Sequence, residues 1–148
     1  ATAVPSMASL TDKIKVDTSI QNLADAMKHS RSEAVTRNTA VSICPRTGNS
    51  CSESGDWTQG WLIFQDSDRD GLLDEGEVLI FENAAIKGDI TISQASASSS
   101  LSWLPDGTSQ HSSTFTICSE HAADSLKLNL SGRVQRYNLE NSACNENA

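Results

Sequence analysis

The chain has 148 residues, a net charge of −8 at neutral pH and 37% hydrophobic residues. This length suits one domain with a single modest core, and we expect residues 1–148 to form it. The acidic balance favours solubility and argues against a generally nucleic-acid-binding surface, although it is compatible with a local basic patch. No stretch of the sequence is long and apolar enough to cross a bilayer.

A long amphipathic helix is predicted over residues 6–37. Asn38 is a suitable stop for it. A helix of about thirty residues is long for a domain of this size. We therefore expect it to protrude from the domain or to continue beyond this sequence. Its apolar residues recur at helical spacing, with an N-terminal extension of the stripe: Val16, Ile20, Leu23, Ala24, Met27 and Ala34, extended by Met7, Leu10 and Ile14.

The remainder, residues 39–148, is predicted to be rich in β-strands. Glycine, asparagine, aspartate and serine separate its short apolar runs, which marks turns between strands. One helix followed by a series of strands is an α+β layout, in which the helix covers one face of a sheet. The predicted strands are β-branched or alternating runs at 39–44, 60–65, 77–82, 89–93, 113–118, 126–130 and 133–139.

Four cysteines are present, at positions 44, 51, 118 and 144. None forms a C-x-x-C pair, so a zinc site is not expected. An even number without metal spacing predicts two disulfides and an oxidising compartment. Four cysteines allow three connectivities, and the sequence does not choose among them. We favour Cys44–Cys51 and Cys118–Cys144 because each pair closes a local loop.

The stretch "DSDRDGLLDEGE" (66–77) holds six carboxylates and one cation. It fits the calcium-loop pattern D-x-D-x-D-G-x5-E without a gap. Predicted strands flank it, so a true EF-hand is not expected. The alternative is a charged β-hairpin tip, although a divalent cation would relieve the repulsion among the carboxylates. The pattern assigns five calcium ligands: Asp66, Asp68, Asp70, Leu72 through its carbonyl, and Glu77.

Several segments carry a family resemblance in collinear order. The chain begins with "ATAVPSMASL", continues with "SRSEAVTRNTAVSIC" (30–44) and "GDWTQGWLIFQDSDRDGLLDEGE" (55–77), and later contains "LNLSGRVQRY" (128–137). The first resembles the end of the apolar N-terminal helix of type IV pilins. The other three resemble the GspH/FimT family of minor pilins and pseudopilins: its helix-to-first-strand segment, its W-x-x-G-W strand with an acidic hairpin, and its C-terminal strand with Ser-Gly-Arg.

The resemblance implies a type IV pilin-like fold, in which a long N-terminal helix packs on an antiparallel β domain. It implies a minor pilin that takes part in type IV pilus assembly or in a tip complex, with other minor and major pilins as partners. It also implies a membrane helix upstream of this sequence. The protein would then lie in the bacterial inner membrane and periplasm before assembly and in the cell-surface pilus afterwards. The family includes minor pseudopilins of type II secretion, which are the alternative.

DNA is a further partner that the resemblance implies, because some FimT-type members bind it during natural transformation through a C-terminal Gly-Arg-x-Arg motif. This chain has "GRVQR" at 132–136, with one residue too many. Strand alternation would place Arg133 and Arg136 on opposite faces unless a bulge lies between them. With a bulge, these arginines and Lys127 of the neighbouring strand could form a DNA clamp. Without it they are solvated side chains on an edge strand.

No motif of nucleophilic catalysis occurs, and the three histidines lack the spacing of a metal site. We therefore expect a protein that is not an enzyme and requires no cofactor, with calcium as the only candidate. Trp57, Trp61 and Trp103 are expected in the core, with a partner interface as the alternative for Trp57 and Trp103.

Overall fold

The structure, a computed structural model, describes residues 7–53, 55–95 and 99–139. A 3₁₀ turn at Trp57–Gln59 precedes the third strand. The main elements are α1 (Met7–Arg37), β1 (Val41–Thr47), β2 (Ser50–Cys51), β3 (Trp61–Gln65), β4 (Leu79–Asn83), β5 (Thr91–Ala95), β6 (Leu101–Trp103), β7 (Ser113–Cys118), β8 (Ala123–Leu128) and β9 (Val134–Asn138).

Helix α1 is continuous, as the apolar spacing predicts, and Asn38 ends it in a left-handed conformation (φ 52°). No helix of the described residues is long and apolar enough to span a membrane. Its buried stripe contains the predicted core positions, with Ala24 only partly buried: Val16, Ile20, Leu23, Met27 and Ala34.

The N-terminal extension of that stripe was predicted wrongly. Met7, Leu10 and Ile14 are 81%, 55% and 57% exposed. Two residues advance about 200° around a helix, so Ile14 and Val16 lie on nearly opposite sides. Seven residues complete about two turns, so Met7 and Ile14 share one side, with Leu10 close by. These three residues form a separate apolar face, which we call the outer face, directed away from the core.

The strands form two antiparallel sheets. In the first, β1 pairs with β3 on one side and with β2 and β6 on the other, and β4 continues beyond β3. The second has the order β5-β7-β8-β9. The two short strands β2 and β6 were not predicted. They form because β1 offers a free backbone edge, which β6 pairs at Val41, Ser42 and Ile43.

Both sheets pack against α1, and the core lies between them and the helix. The three tryptophans are fully buried, as expected for core residues. Trp57 meets Phe115 edge to face, with ring centroids 5.1 Å apart. Because Phe115 belongs to β7, this contact joins the second sheet to the 3₁₀ turn before the first-sheet strand β3.

The structure contains the favoured Cys44–Cys51 disulfide, which links β1 to β2 with a Cα–Cα distance of 5.6 Å. Cys118, at the end of β7, is also disulfide-bonded. Its expected partner Cys144 lies outside the described residues, so the Cys118–Cys144 pairing remains a prediction.

Candidate functional site

The acidic loop, residues 66–77, joins β3 to β4. Strands flank it on both sides, so it is not an EF-hand, as predicted. Gly71 provides its sharp turn with φ 77°. A Cβ at this position would lie 2.2 Å from Ser100 Oγ, so any larger residue would force the Ser100 side chain to move, and the positive φ also favours glycine.

The fold brings the four predicted carboxylate ligands together. One oxygen each of Asp66, Asp68, Asp70 and Glu77 can be chosen so that all lie within 4.8 Å of one another. Calcium binds oxygen at about 2.3–2.6 Å, so ligands on opposite sides of it are about 5 Å apart. The cluster therefore fits a calcium ion in size and in ligand chemistry. The carbonyl of Leu72, the fifth ligand, remains a prediction.

Asp66 anchors the loop to the first sheet. Its carboxylate is fully buried and accepts hydrogen bonds from Ser42 Oγ (2.6 Å) and the Gly71 amide (2.9 Å). The hydroxyl groups of Ser42 and Ser102 are 2.5 Å apart, which extends the network from β1 to β6. Burial raises the pKa of Asp66, and its hydrogen bonds to Ser42 and Gly71 oppose the rise.

The loop's own amides hold its other carboxylates. Glu77 accepts from the amides of Ser67 (2.6 Å) and Asp74 (2.9 Å), and Asp70 accepts from Leu72 (2.9 Å). Amide donors of this kind stabilise negative charge without a cation. The loop is thus partly organised for ionised carboxylates by its backbone.

A small apolar cluster fixes the middle of the loop. Leu73 packs against Cys44, Leu62 and Phe64, and its amide donates to Cys51 Sγ (3.4 Å). The Cys44–Cys51 disulfide therefore supports the loop as well as the β1–β2 pair. Leu73 lies between the carboxylates of residues 66–70 and those of residues 74–77, so its anchoring restricts how far the two groups can separate.

Asp74 shows the cost of crowding these charges. Hydrogen bonding with the Asp70 carboxyl, together with repulsion by Asp70 and Asp68, raises the pKa of Asp74 to about 6. Two carboxyl groups can share such a bond only if one keeps its proton. Asp74 therefore keeps its proton up to about pH 6, well above the ordinary range of an aspartate, and a cation bound in the loop could take the place of that proton.

The three residues of the predicted DNA clamp are not brought to one face. The β8–β9 register is continuous, with Gln135 opposite Lys127 and Arg136 opposite Leu126. The bulge that the clamp requires is absent from this pairing, so the condition on which the clamp depends is not met. Lys127 and Arg136 project from opposite sides of the sheet because neighbouring register positions alternate.

Arg136 is held by carboxylates rather than left free for a ligand. Its guanidinium contacts Asp17 of α1 and Asp124 of β8, and its Nε lies 3.0 Å from Asp124 Oδ2. Desolvation opposes its charge, but the bonds to both carboxylates raise the pKa of Arg136. This residue therefore ties the helix to the second sheet. Arg133, which precedes β9, is exposed.

The Ser-Gly-Arg turn is built around Gly132. This glycine is buried, with φ 88°, and a Cβ on it would lie 1.9 Å from the Gly107 carbonyl oxygen. The same oxygen accepts from Arg31 Nε (2.9 Å), and Trp103 Nε1 donates to the Gly132 carbonyl (3.2 Å). The turn is therefore packed tightly between helix α1 and the 104–109 loop, and it places Arg133 beside the helix.

A long helix over two antiparallel sheets, with an acidic loop between β3 and β4, defines a pilin-like protein. The family model described as type II transport protein GspH matches residues 19–132. The chain therefore belongs to the GspH/FimT family of minor pilins and pseudopilins. No curated protein matches the sequence.

Three solved structures share the fold. The type IV minor pilin FimU of Pseudomonas aeruginosa is 23% identical, with a TM-score of 0.64 over 86% of this chain and 90% of that one. A second crystal form of FimU gives 24% identity and a TM-score of 0.61 over 81% and 90%. The minor pseudopilin EpsH of the Vibrio cholerae type 2 secretion system is 11% identical, with a TM-score of 0.60 over 84% and 97%.

Proposed function

We propose that this chain is a minor pilin that takes part in type IV pilus assembly or in the tip complex of the pilus. Its role is structural, with other minor and major pilins as partners, and it performs no catalysis. It resides in the inner membrane and periplasm before assembly, anchored by a helix upstream of this sequence, and in the surface pilus afterwards. The family match supports the assembly role.

The outer face of α1 is the observation that carries this proposal. Met7, Leu10 and Ile14 expose more than half of their surface on the side of the helix opposite the core. Exposed apolar side chains that share a helix face are typical of a surface that a neighbouring subunit covers. A filament that packs such helices side by side would bury them.

Replacing the outer face with charge tests the assembly role. A strain carrying Leu10→Asp and Ile14→Asp should lose surface pili, as a deletion does, because buried unpaired charges disfavour helix packing. Leu10→Met with Ile14→Val, which keeps the face apolar, should retain pili. The isolated domain should unfold at the same denaturant concentration in all variants. Normal piliation with the two aspartates would contradict the proposal.

Type II secretion is the alternative within the same family, since EpsH and FimU share this chain's fold with similar TM-scores, although FimU is the more similar in sequence. The deletion strain separates the two roles. Loss of surface pili with normal protein secretion supports the pilus, and the reverse outcome supports a minor pseudopilin.

DNA uptake is a finer alternative. The ion pairs of Arg136 leave the predicted clamp without one of its three cations, which favours the assembly role over that of a DNA receptor at the pilus tip. A gel shift with duplex DNA at low salt tests this alternative, because binding through phosphates is strongest there.

We also propose that the acidic loop binds calcium through Asp66, Asp68, Asp70, Glu77 and the Leu72 carbonyl. The cluster of four carboxylates supports it. When bound, the ion would neutralise the crowded carboxylates and hold β3 and β4 in one arrangement. If calcium binds only the folded chain, it must raise the unfolding midpoint.

A further inference from the structure

A groove runs between the C-terminal half of α1 and the start of β9. Among the described residues that line it there are three cations and no carboxylate. This is unusual in a chain with 19 acidic and 11 basic residues. We call it the basic groove, and its main lining residues are Lys28, Arg31, Val35, Arg133, Val134 and Gln135.

The helix and the Ser-Gly-Arg turn both build the basic groove. Lys28, Arg31 and Val35 follow one another at i, i+3 and i+7, so they form a single stripe along α1. Arg133 reaches the same groove because Gly132 packs against the Gly107 carbonyl. Arg31 holds this arrangement through its Nε bond to the same carbonyl (2.9 Å).

The cations of the groove are available to a ligand. Lys28 and Arg133 are exposed and form no ion pair within the described part of the chain. Arg31 uses Nε within the protein, and its terminal nitrogens remain to bind an acceptor. Arg136, on the same strand as Val134, differs because Asp17 and Asp124 already neutralise it.

The groove also has an apolar component. Val35 is 53% exposed, and Val134 is partly buried against the core. Both line the groove among the three cations. A ligand that complements this surface carries carboxylates with apolar side chains between them.

We propose that the basic groove binds an acidic segment of a neighbouring subunit, in which carboxylates pair with Lys28, Arg31 and Arg133 and apolar side chains contact Val35 and Val134. The identity of the neighbour as a filament subunit rests on the proposed function. The carboxylate site does not, because it follows from the groove's own charge and shape.

A nucleic acid fits the groove less well. Phosphate-driven binding is strong when about 6–10 phosphates are neutralised, and the described residues that line the groove supply three cations. The net charge of −8 would repel a long polyanion outside the groove. A short segment with two or three carboxylates avoids both problems, and the valines favour a peptide over a sugar-phosphate backbone.

Fluorescence anisotropy can test the site with three labelled probes at low salt: a peptide of alternating Asp and Val, the matching Asn and Val peptide, and a 12-base-pair duplex. We expect the Asp peptide to bind most tightly and to weaken as salt rises. Lys28→Gln with Arg133→Gln should weaken its binding about 2- to 25-fold, since each of the two exposed ion pairs contributes a factor of about 1.5–5.

The matched control is Lys15→Gln with Lys87→Gln, which removes the same charge from exposed positions outside the groove. It should bind the Asp peptide as the wild type does, apart from a small long-range effect. Equal losses in both double variants, no binding of the Asp peptide at low salt, or tighter binding of the duplex would each overturn the proposal. Unchanged unfolding midpoints confirm that every variant is folded. If the pilus experiment contradicted the proposed function, this titration would still test the carboxylate site, so the two failures are distinguishable.

Discussion

In the acidic loop, Asp66 is bound by Ser42 and by a backbone amide, and Glu77 by two further amides. In the basic groove, Lys28 and Arg133 have no ion-pair partner among the described residues. The carboxylates of the acidic loop accept hydrogen bonds from donors within the protein, so the loop is part of the fold. The basic groove keeps its charges for a ligand. Stability measurements should therefore respond to changes in the loop, and binding measurements to changes in the groove.

Both regions nevertheless depend on a glycine with positive φ. Gly71 turns the acidic loop against Ser100, and Gly132 turns the chain into β9 against Gly107. The obstacle at Gly71 is a side chain, which can rotate away. The obstacle at Gly132 is a backbone carbonyl, which cannot move without its loop. The exposed cations of the basic groove are thus unpaired within the described residues, whereas the backbone that carries Arg133 is held rigidly by the packing of Gly132.

Gly132→Ala should have the largest effect on stability. The left-handed conformation costs an alanine about 1–2 kcal/mol, and overpacking against the Gly107 carbonyl adds about 1–3 kcal/mol. We expect urea unfolding to show a loss of about 2–5 kcal/mol in the free energy of unfolding. Gly48→Ala is the matched control, since Gly48 also has positive φ but nothing within 4 Å of an added Cβ. Equal losses in the two variants would refute the role of close packing at Gly132.

Asp66→Ala should lower the free energy of unfolding by about 1–3 kcal/mol in calcium-free buffer. The change leaves the Gly71 amide without its buried acceptor, and an unsatisfied buried group costs about 1–3 kcal/mol, whereas the Ser42 hydroxyl can donate to Ser102 instead. Asp68→Ala is the comparison, because Asp68 is exposed and should matter only when calcium is present. Similar unfolding free energies for wild type and Asp66→Ala would show that the loop is not anchored as described.

Calcium should stabilise the wild type by about 1.4 kcal/mol at 10 mM if its Kd is about 1 mM, a value typical of extracellular calcium sites. Glu77→Gln and Asp68→Asn should reduce this gain, because each removes one of the clustered carboxylates. Magnesium at the same concentration is the control for general charge screening. An unfolding midpoint that is indifferent to calcium and to chelator would leave the loop as a hairpin connection only.

The sequence predicted the main elements of the fold where the signal was local. The apolar spacing of α1 and the alternation in β7 depend on residues close together in the chain, so both were identified. Strands β2 and β6 were missed because their two or three residues carry little pattern, and only the neighbouring edge of β1 makes them strands. The outer face was misassigned because Ile14 and Val16 are close in sequence but point in nearly opposite directions.

The sites show the same division. The spacing of the carboxylates predicted the cluster in the acidic loop because all of its ligands lie within residues 66–77. The basic groove was not predicted, although Lys28 and Arg31 have helical spacing, because its third cation is brought in by the packing of Gly132 on Gly107. Nor could the sequence show that Arg136 is paired with Asp17, since that contact spans 119 positions.

The smallest predicted effect concerns the proton held by Asp74. Its pKa in the folded chain is about 6, above the ordinary value of 3.8, so the folded state binds more protons than the unfolded state between these values. The resulting stability is fully present below about pH 4 and is lost as pH rises through about 6. Without calcium, Asp74→Asn should remove this dependence of stability on pH, because an amide can donate to Asp70 without a proton from solvent.

Asp106→Asn is the control: hydrogen bonds from Thr108 lower the pKa of Asp106, so it does not titrate between pH 5 and 7. Urea unfolding at pH 5 and 7 measures both variants against wild type. In calcium the wild-type slope should also shrink, since the ion favours the ionised loop. If Asp74→Asn and Asp106→Asn both kept the pH dependence of the wild type, the Asp70–Asp74 pair would not hold the proton. The contrast between a loop whose carboxylates are hydrogen-bonded and a groove whose cations are unpaired would then rest on Asp66 and Glu77 alone.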